Sequence, residues 1–186
     1  LENNNKNLIL KYFLDIDFID SLNFKILNYK KSNKKIAKIT TKIELTKKII
    51  IINELKYKEG NNLIILKDLK FDHDKKIKSF KLIKIKTSEG NKEKNSFEIK
   101  FGDTISVLGS KYDATNIIKI INEKKKSNLF KLLNNKVSVK IDNINTRLST
   151  NLRQFSLIGK LEKGEFIKIT SKGKFFADKY LDIMLK

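Results

Sequence analysis

Apolar residues spaced two apart dominate this chain. Leu8, Leu10, Tyr12, Leu14, Ile16 and Phe18 form one such series, with Lys11, Asp15 and Asp17 between them. Leu22, Phe24 and Ile26 repeat it after the polar pair Asp20-Ser21, and Ala37, Ile39, Thr41, Ile43 and Leu45 alternate with Lys38, Thr40, Lys42 and Glu44. Period two places successive side chains on opposite faces of a strand, so each series predicts a strand with one apolar and one polar face.

The rhythm continues through the middle of the chain. Leu63, Ile65, Leu69 and Phe71 follow the turn signal Glu59-Gly60-Asn61-Asn62. Phe80 and Leu82 give way to Ile83 and Ile85, a change of phase that predicts a bulge or burial on both faces. Glu89-Gly90-Asn91 closes that strand, and Phe97, Ile99 and Phe101 open another. Gly102-Asp103 then turns into Ile105, Val107 and Gly109. Short polar connections between consecutive strands predict an antiparallel meander.

One segment breaks the pattern. Asp113 is a good N-cap, and Ile117, Ile118, Ile120 and Ile121 fall on a helical stripe, which predicts a short helix from about Ala114 to Lys125. Strands then resume with Val137, Val139 and Ile141; Leu148, Thr150 and Leu152; Phe155, Leu157, Gly159 and Leu161; Phe166 to Thr170; and Tyr180 to Leu185. Glu162-Lys163-Gly164 and Ser171-Lys172-Gly173-Lys174 read as glycine-bearing turns. The expected fold is mainly β, an extended curved antiparallel sheet with a groove. It forms one β-rich segment with a meander over 1–110, a helix and linker over 111–134, and a second set of strands over 135–186. A start at Leu1 and a finish on a strand pattern lead us to expect a piece of a longer protein.

Composition qualifies this picture. The formal net charge of +20 suggests a polyanion binder, but of 41 basic residues only Arg147 and Arg153 are arginines. Lysine, asparagine and isoleucine make up nearly half the chain, a trio that A+T-rich coding sequence produces by default. Proteins that read bases or clamp phosphates favour the planar fork of arginine. Specific nucleic-acid binding is therefore not expected, while salt-sensitive attraction to anionic lipid head groups or other polyanions is. No apolar run is long enough for a membrane-spanning helix.

Catalytic chemistry is sparse. Without cysteine, thiolate ligands and cysteine nucleophiles are excluded. His73 is the only histidine; it is flanked by Asp72 and Asp74 in a polar turn, with no second histidine to complete a metal site. The paired carboxylates Asp15 and Asp17 are neighbours on one strand face, unlike the opposed carboxyls that glycosidases need. No phosphate loop, nucleophile elbow or zinc-protease motif is present. We therefore expect no enzymatic activity, no metal and no cofactor.

From Gly109 onward the chain resembles a known group. Gly109-Ser110-Lys111-Tyr112-Asp113-Ala114-Thr115-Asn116-Ile117-Ile118 is similar to a recurring element of the AsmA-like envelope proteins, the group that includes TamB and YhdP. There a strand ends in glycine and leads through Asp-Ala and a small hydroxyl residue to a short helix with paired aliphatics. Val137 to Ile144 and Leu152 to Leu161, followed by Lys163-Gly164-Glu165-Phe166, resemble the strands that come next. The likeness covers about seventy residues, 105–175; the first hundred agree in strand rhythm alone.

The resemblance implies a long curved sheet whose apolar face binds or conducts phospholipid between inner and outer membranes, in the periplasm or cell envelope, anchored by a segment outside this chain. The implied lipid-facing residues are Leu10, Tyr12, Leu14, Ile16, Phe18, Phe24, Ile39, Ile43, Phe97, Ile99 and Phe101; the family-like element contributes Gly109, Asp113, Ala114, Ile117 and Ile118. The implied partners are phospholipid or an anionic membrane surface and other envelope proteins. The alternatives are a non-catalytic structural or protein-interaction β-domain and a lysine-rich polyanion or nucleic-acid binder.

Overall fold

The structure is a computed structural model and describes residues 9–117, 128–147, 151–175 and 179–185. Alternation is realised as fourteen described strands: β1 (Leu10–Phe18), β2 (Leu22–Phe24), β3 (Tyr29–Lys31), β4 (Ala37–Leu45), β5 (Ile49–Glu59), β6 (Asn62–Asp72), β7 (Ile77–Ser79), β8 (Leu82–Glu89), β9 (Lys92–Lys100), β10 (Thr104–Asp113), β11 (Lys136–Asn145), β12 (Leu152–Glu162), β13 (Glu165–Lys174) and β14 (Tyr180–Leu185). Twelve of them form one open sheet in the order β1-β4-β5-β6-β8-β9-β10-β11-β12-β13-β14, with β7 paired to β6. β2 and β3 make a separate two-stranded hairpin joined by a single 3-10 turn, Lys25–Leu27.

Among the described residues every strand pairing is antiparallel except one. β10 and β11 run parallel, from Thr104 opposite Lys136 to Asp113 opposite Asn145. A parallel pair cannot be joined by a tight turn, because the chain must return to the opposite rim before the second strand begins. The segment between Asp113 and Lys136 provides that crossover. Its first residues follow the expected cap. Asp113 accepts from the backbone N–H of Thr115 at 3.2 Å and from its hydroxyl at 2.6 Å, and the Ile117 N–H donates to the Ala114 carbonyl at 3.0 Å. The rest of the expected helix, including Ile118, Ile120 and Ile121, lies outside the described residues.

Local deviations follow identifiable causes. β12 and β13 are joined by a two-residue loop in which Lys163 and Gly164 both have positive φ, 51° and 78°, as a type I′ hairpin requires. The phase change after Phe80 arises because the chain leaves β7 and re-enters the sheet as β8, both strands pairing with β6. In β6 apolar residues occupy both phases; Ile64 and Leu66 continue the apolar face, while Leu63 and Ile65 stand among lysines on the other. The segment Ser171 to Lys174 is not a turn but the end of β13, where a Cβ on Gly173 would approach Leu152 Cδ1 to 2.7 Å.

Three clusters hold the apolar side. Leu69, Ile77, Phe80, Ile105, Leu133, Val137 and Leu161 are buried together at one rim. Leu27, Tyr29, Ala37, Tyr57, Ile64 and Ile85 are buried where the β2–β3 hairpin folds against the sheet. Ile141, Ile144 and Leu152 form the third cluster, with Ala114 packed against it.

Candidate functional site: the apolar face of the sheet

Pairing register sorts the strand residues into rows that cross the sheet. One row runs Leu14, Thr41, Leu55, Leu66, Ile83, Ile99, Val107, Val139, Leu157, Ser171 and Ile183. It visits every strand on the main path without a charged residue. Its two hydroxyls are buried, Thr41 donating to the Glu54 carbonyl at 3.0 Å. A second row on the same face runs Ile16, Ile39, Tyr57, Ile64, Ile85, Phe97, Gly109, Ile141 and Phe155. Its one gap in side-chain volume has a steric reason: a Cβ on Gly109 would collide with Phe97, beside a register shift between β9 and β10.

The face is uneven in cover. On β1, Leu10, Tyr12, Leu14 and Ile16 are 41–47 % exposed, so the apolar side of this edge strand is open. Phe18, at its end, is half-buried under the ammonium of Lys31, 5.1 Å from the ring centroid. Ile43, Leu55, Leu66, Ile83, Ile99, Val107, Val139 and Leu157 are half-buried. Ile39 and Phe97 pack beneath the β2–β3 hairpin. Leu129 and Leu133, from the crossover, close the opposite rim.

Two of the residues expected to face lipid lie off the large sheet. Phe24 belongs to β2, stacked on Tyr29 with centroids 6.2 Å apart and edge-on to Tyr57 at 6.3 Å, so it is part of the cover. Phe101 follows β9 and packs against Phe80 at 5.2 Å. Of the family-like element, Gly109 and Asp113 lie on β10, Ala114 and Ile117 follow it, and Ile118 is outside the described residues.

Sequence reasoning missed the polar spine that fastens the hairpin. Asn95 is fully buried; its Nδ2 donates to the Leu27 carbonyl and to Thr87 Oγ1, each at 2.7 Å, and its Oδ1 accepts from the Asp113 N–H at 2.9 Å. Asn28 Nδ2 donates to Asp113 Oδ2 at 3.1 Å and to Thr115 Oγ1 at 3.0 Å. The Tyr112 hydroxyl donates to the Ile26 carbonyl at 2.9 Å. Burial alone would push the Asp113 carboxyl up, but bonds from Thr115 and Asn28, with Lys94 nearby, hold it below the usual carboxylate range.

A second polar group sits under the same hairpin. The Tyr29 and Tyr57 hydroxyls are 2.7 Å apart, and Tyr29 donates to Glu59 Oε2 at 2.9 Å. Burial, together with these partners, raises the Tyr29 phenol far above its ordinary range. Glu59 is depressed, because bonds from Tyr29, Asn62 and Lys35 outweigh its desolvation. Every one of these groups has a partner, so the arrangement locks structure rather than offering an unspent acid or base. Among the described residues no group of three potential metal ligands gathers. His73 and Asp74 meet at 2.8 Å in an exposed turn.

Compared with family models, curated proteins and solved structures, this chain matches none.

Proposed function

We propose that the apolar face binds phospholipid acyl chains, as a non-catalytic segment of an AsmA-like cell-envelope protein that carries phospholipid between inner and outer membranes. The observation that supports this reading is the row from Leu14 to Ile183, which crosses eleven strands without a charge. At a strand spacing of about 4.8 Å such a row extends on the order of 50 Å. An acyl chain gains about 0.8 kcal/mol per buried methylene. A path of nearly uniform apolar character holds such a chain without fixing it at one point, and its head group remains at the solvent rim.

Organic extraction of the purified protein, followed by mass spectrometry, and titration with a fluorescent fatty acid test the proposal. We expect co-purifying phospholipid and saturable binding. Ile99→Asp, which places a carboxylate in mid-row, should abolish both while the β circular dichroism is retained. An extract without lipid, together with no probe binding, overturns the reading. It would favour the alternative of a self-covered structural or protein-interaction β-domain, to which the packing of the β2–β3 hairpin and of Leu129 and Leu133 on the face lends support.

A further inference from the structure

The opposite face of the sheet carries its own pattern. In β11, β12 and β13, Lys136 stands directly opposite Lys160, and Lys160 directly opposite Lys168. Like charges in register are unfavourable, since neighbouring strands are only about 4.8 Å apart. On the same face the next row but one places Lys140 opposite Ser156, Ser156 opposite Lys172 and Lys172 opposite Asp182, the one carboxylate in these rows. All five lysines are exposed, and none forms an ion pair with a described residue.

Between these two lysine rows runs a third, Ser138, Ile158, Thr170 and Met184. Ile158 is 68 % exposed and Met184 60 %, although both sit on the face that is otherwise polar. Leu108, 42 % exposed, extends the apolar surface beside Lys140. Large apolar side chains framed on both sides by exposed lysines that form no salt bridge match the boundary layer of a bilayer. There apolar groups enter the acyl edge, and flexible ammonium groups reach the phosphates around them.

We infer that the lysine-bearing face of β11–β14 docks on an anionic phospholipid bilayer surface, with Ile158 and Met184 inserted and Lys136, Lys160, Lys168, Lys140 and Lys172 on the head-group phosphates. Anionic lipid would also neutralise the in-register lysines that the protein itself leaves uncompensated. The inference concerns the face opposite the acyl-binding rows and does not require that reading to hold.

Co-sedimentation with vesicles of phosphatidylcholine alone, or of phosphatidylcholine with phosphatidylglycerol, tests it at low and high salt. Partition onto the anionic vesicles should be strong at low salt and fall as salt rises, with little onto the neutral ones. The triple variant K136Q/K160Q/K168Q should lower that partition about a hundredfold, from the usual contribution of each lysine at an anionic surface. Because the substitutions relieve like-charge contacts, its melting temperature should equal or exceed the parent's, and Lys160→Gln alone should show part of the loss. The pair I158S/M184S should weaken vesicle binding while leaving retention on heparin unchanged. Equal partition onto neutral vesicles, an unaffected triple variant, or indifference of vesicle binding to the Ile158 and Met184 changes would each overturn the inference; the last would leave a generic polyanion-attracting surface. Fatty-acid titration of the triple variant reports separately on the apolar face.

Discussion

Asn28 Nδ2 donates to Asp113 Oδ2 across 3.1 Å and eighty-five residues of sequence, tying the β2–β3 hairpin to the end of β10. Asn95 reinforces that tie from β9 through the Leu27 carbonyl. The hairpin covers part of the apolar face, so these bonds set how much of the face is open.

Asn95→Ala should destabilise the protein by about 2–3 kcal/mol, because it leaves the Leu27 carbonyl, Thr87 Oγ1 and the Asp113 N–H buried with fewer partners. Chemical denaturation measures the loss. Hydrogen exchange should show the Tyr29–Lys31 amides losing protection before those of β8 and β9.

Lys31 is 2 % exposed and donates to the carbonyls of Ile19, Asp20 and Ser32 at 2.9, 2.7 and 3.1 Å. Lys31→Met keeps the stem but strands three carbonyls and removes the contact over Phe18, so we expect a cost of about 2–3 kcal/mol. Lys30→Met, at the exposed neighbouring position, should fall within about 0.5 kcal/mol of the parent. Thermal melts of the two variants give the comparison.

Glu59 and Asp113 are both held below their ordinary carboxylate values. A depressed folded-state pKa contributes stability that is present above the unfolded value and lost as pH falls through the folded one. Stability should therefore drop progressively below about pH 4. In Asp113→Asn the same decline should be shallower. A melting temperature followed from neutral to acid pH in both proteins checks the sign.

Gly109→Val should cost about 1–3 kcal/mol, since the added side chain meets Phe97 and the Ser96 carbonyl at a register shift. Ser110→Val, one residue on and exposed, serves as the control in equilibrium unfolding.

Much of this architecture is legible in the alternation of residues. β1, β4, β9 and β11 follow their apolar phases directly, and the β5–β6, β8–β9 and β12–β13 turns fall at Gly60, Gly90 and Gly164, whereas the β4–β5 turn carries no glycine and Ser171 to Lys174 is strand. β6 was ambiguous because Leu63, Ile64, Ile65 and Leu66 are apolar in both phases; pairing with Ile83 and Ile85 on β8 selects Ile64 and Leu66. The detachment of Leu22 to Lys31 from the sheet leaves no trace in the period, since its own two strands alternate as well. Lys31 and Asn95 are indistinguishable by type from dozens of exposed lysines and asparagines. Their roles arise only when distant carbonyls converge on them. The in-register lysines of β11–β13 likewise depend on pairings that no single strand encodes.

The parallel pairing of β10 and β11 has a consequence for the order in which the sheet assembles. The chain must pass from one rim of the sheet to the other between Asp113 and Lys136, and Ala114 and Leu133, near its two ends, both rest on the apolar side. Thr104 and Lys136, the first partners of that pair, lie about thirty residues apart in the chain, whereas hairpin partners are only a few residues apart. Closing so long a loop costs entropy before the pairing rewards it, so the two halves of the sheet should zip together late, as the last teeth of a fastener do.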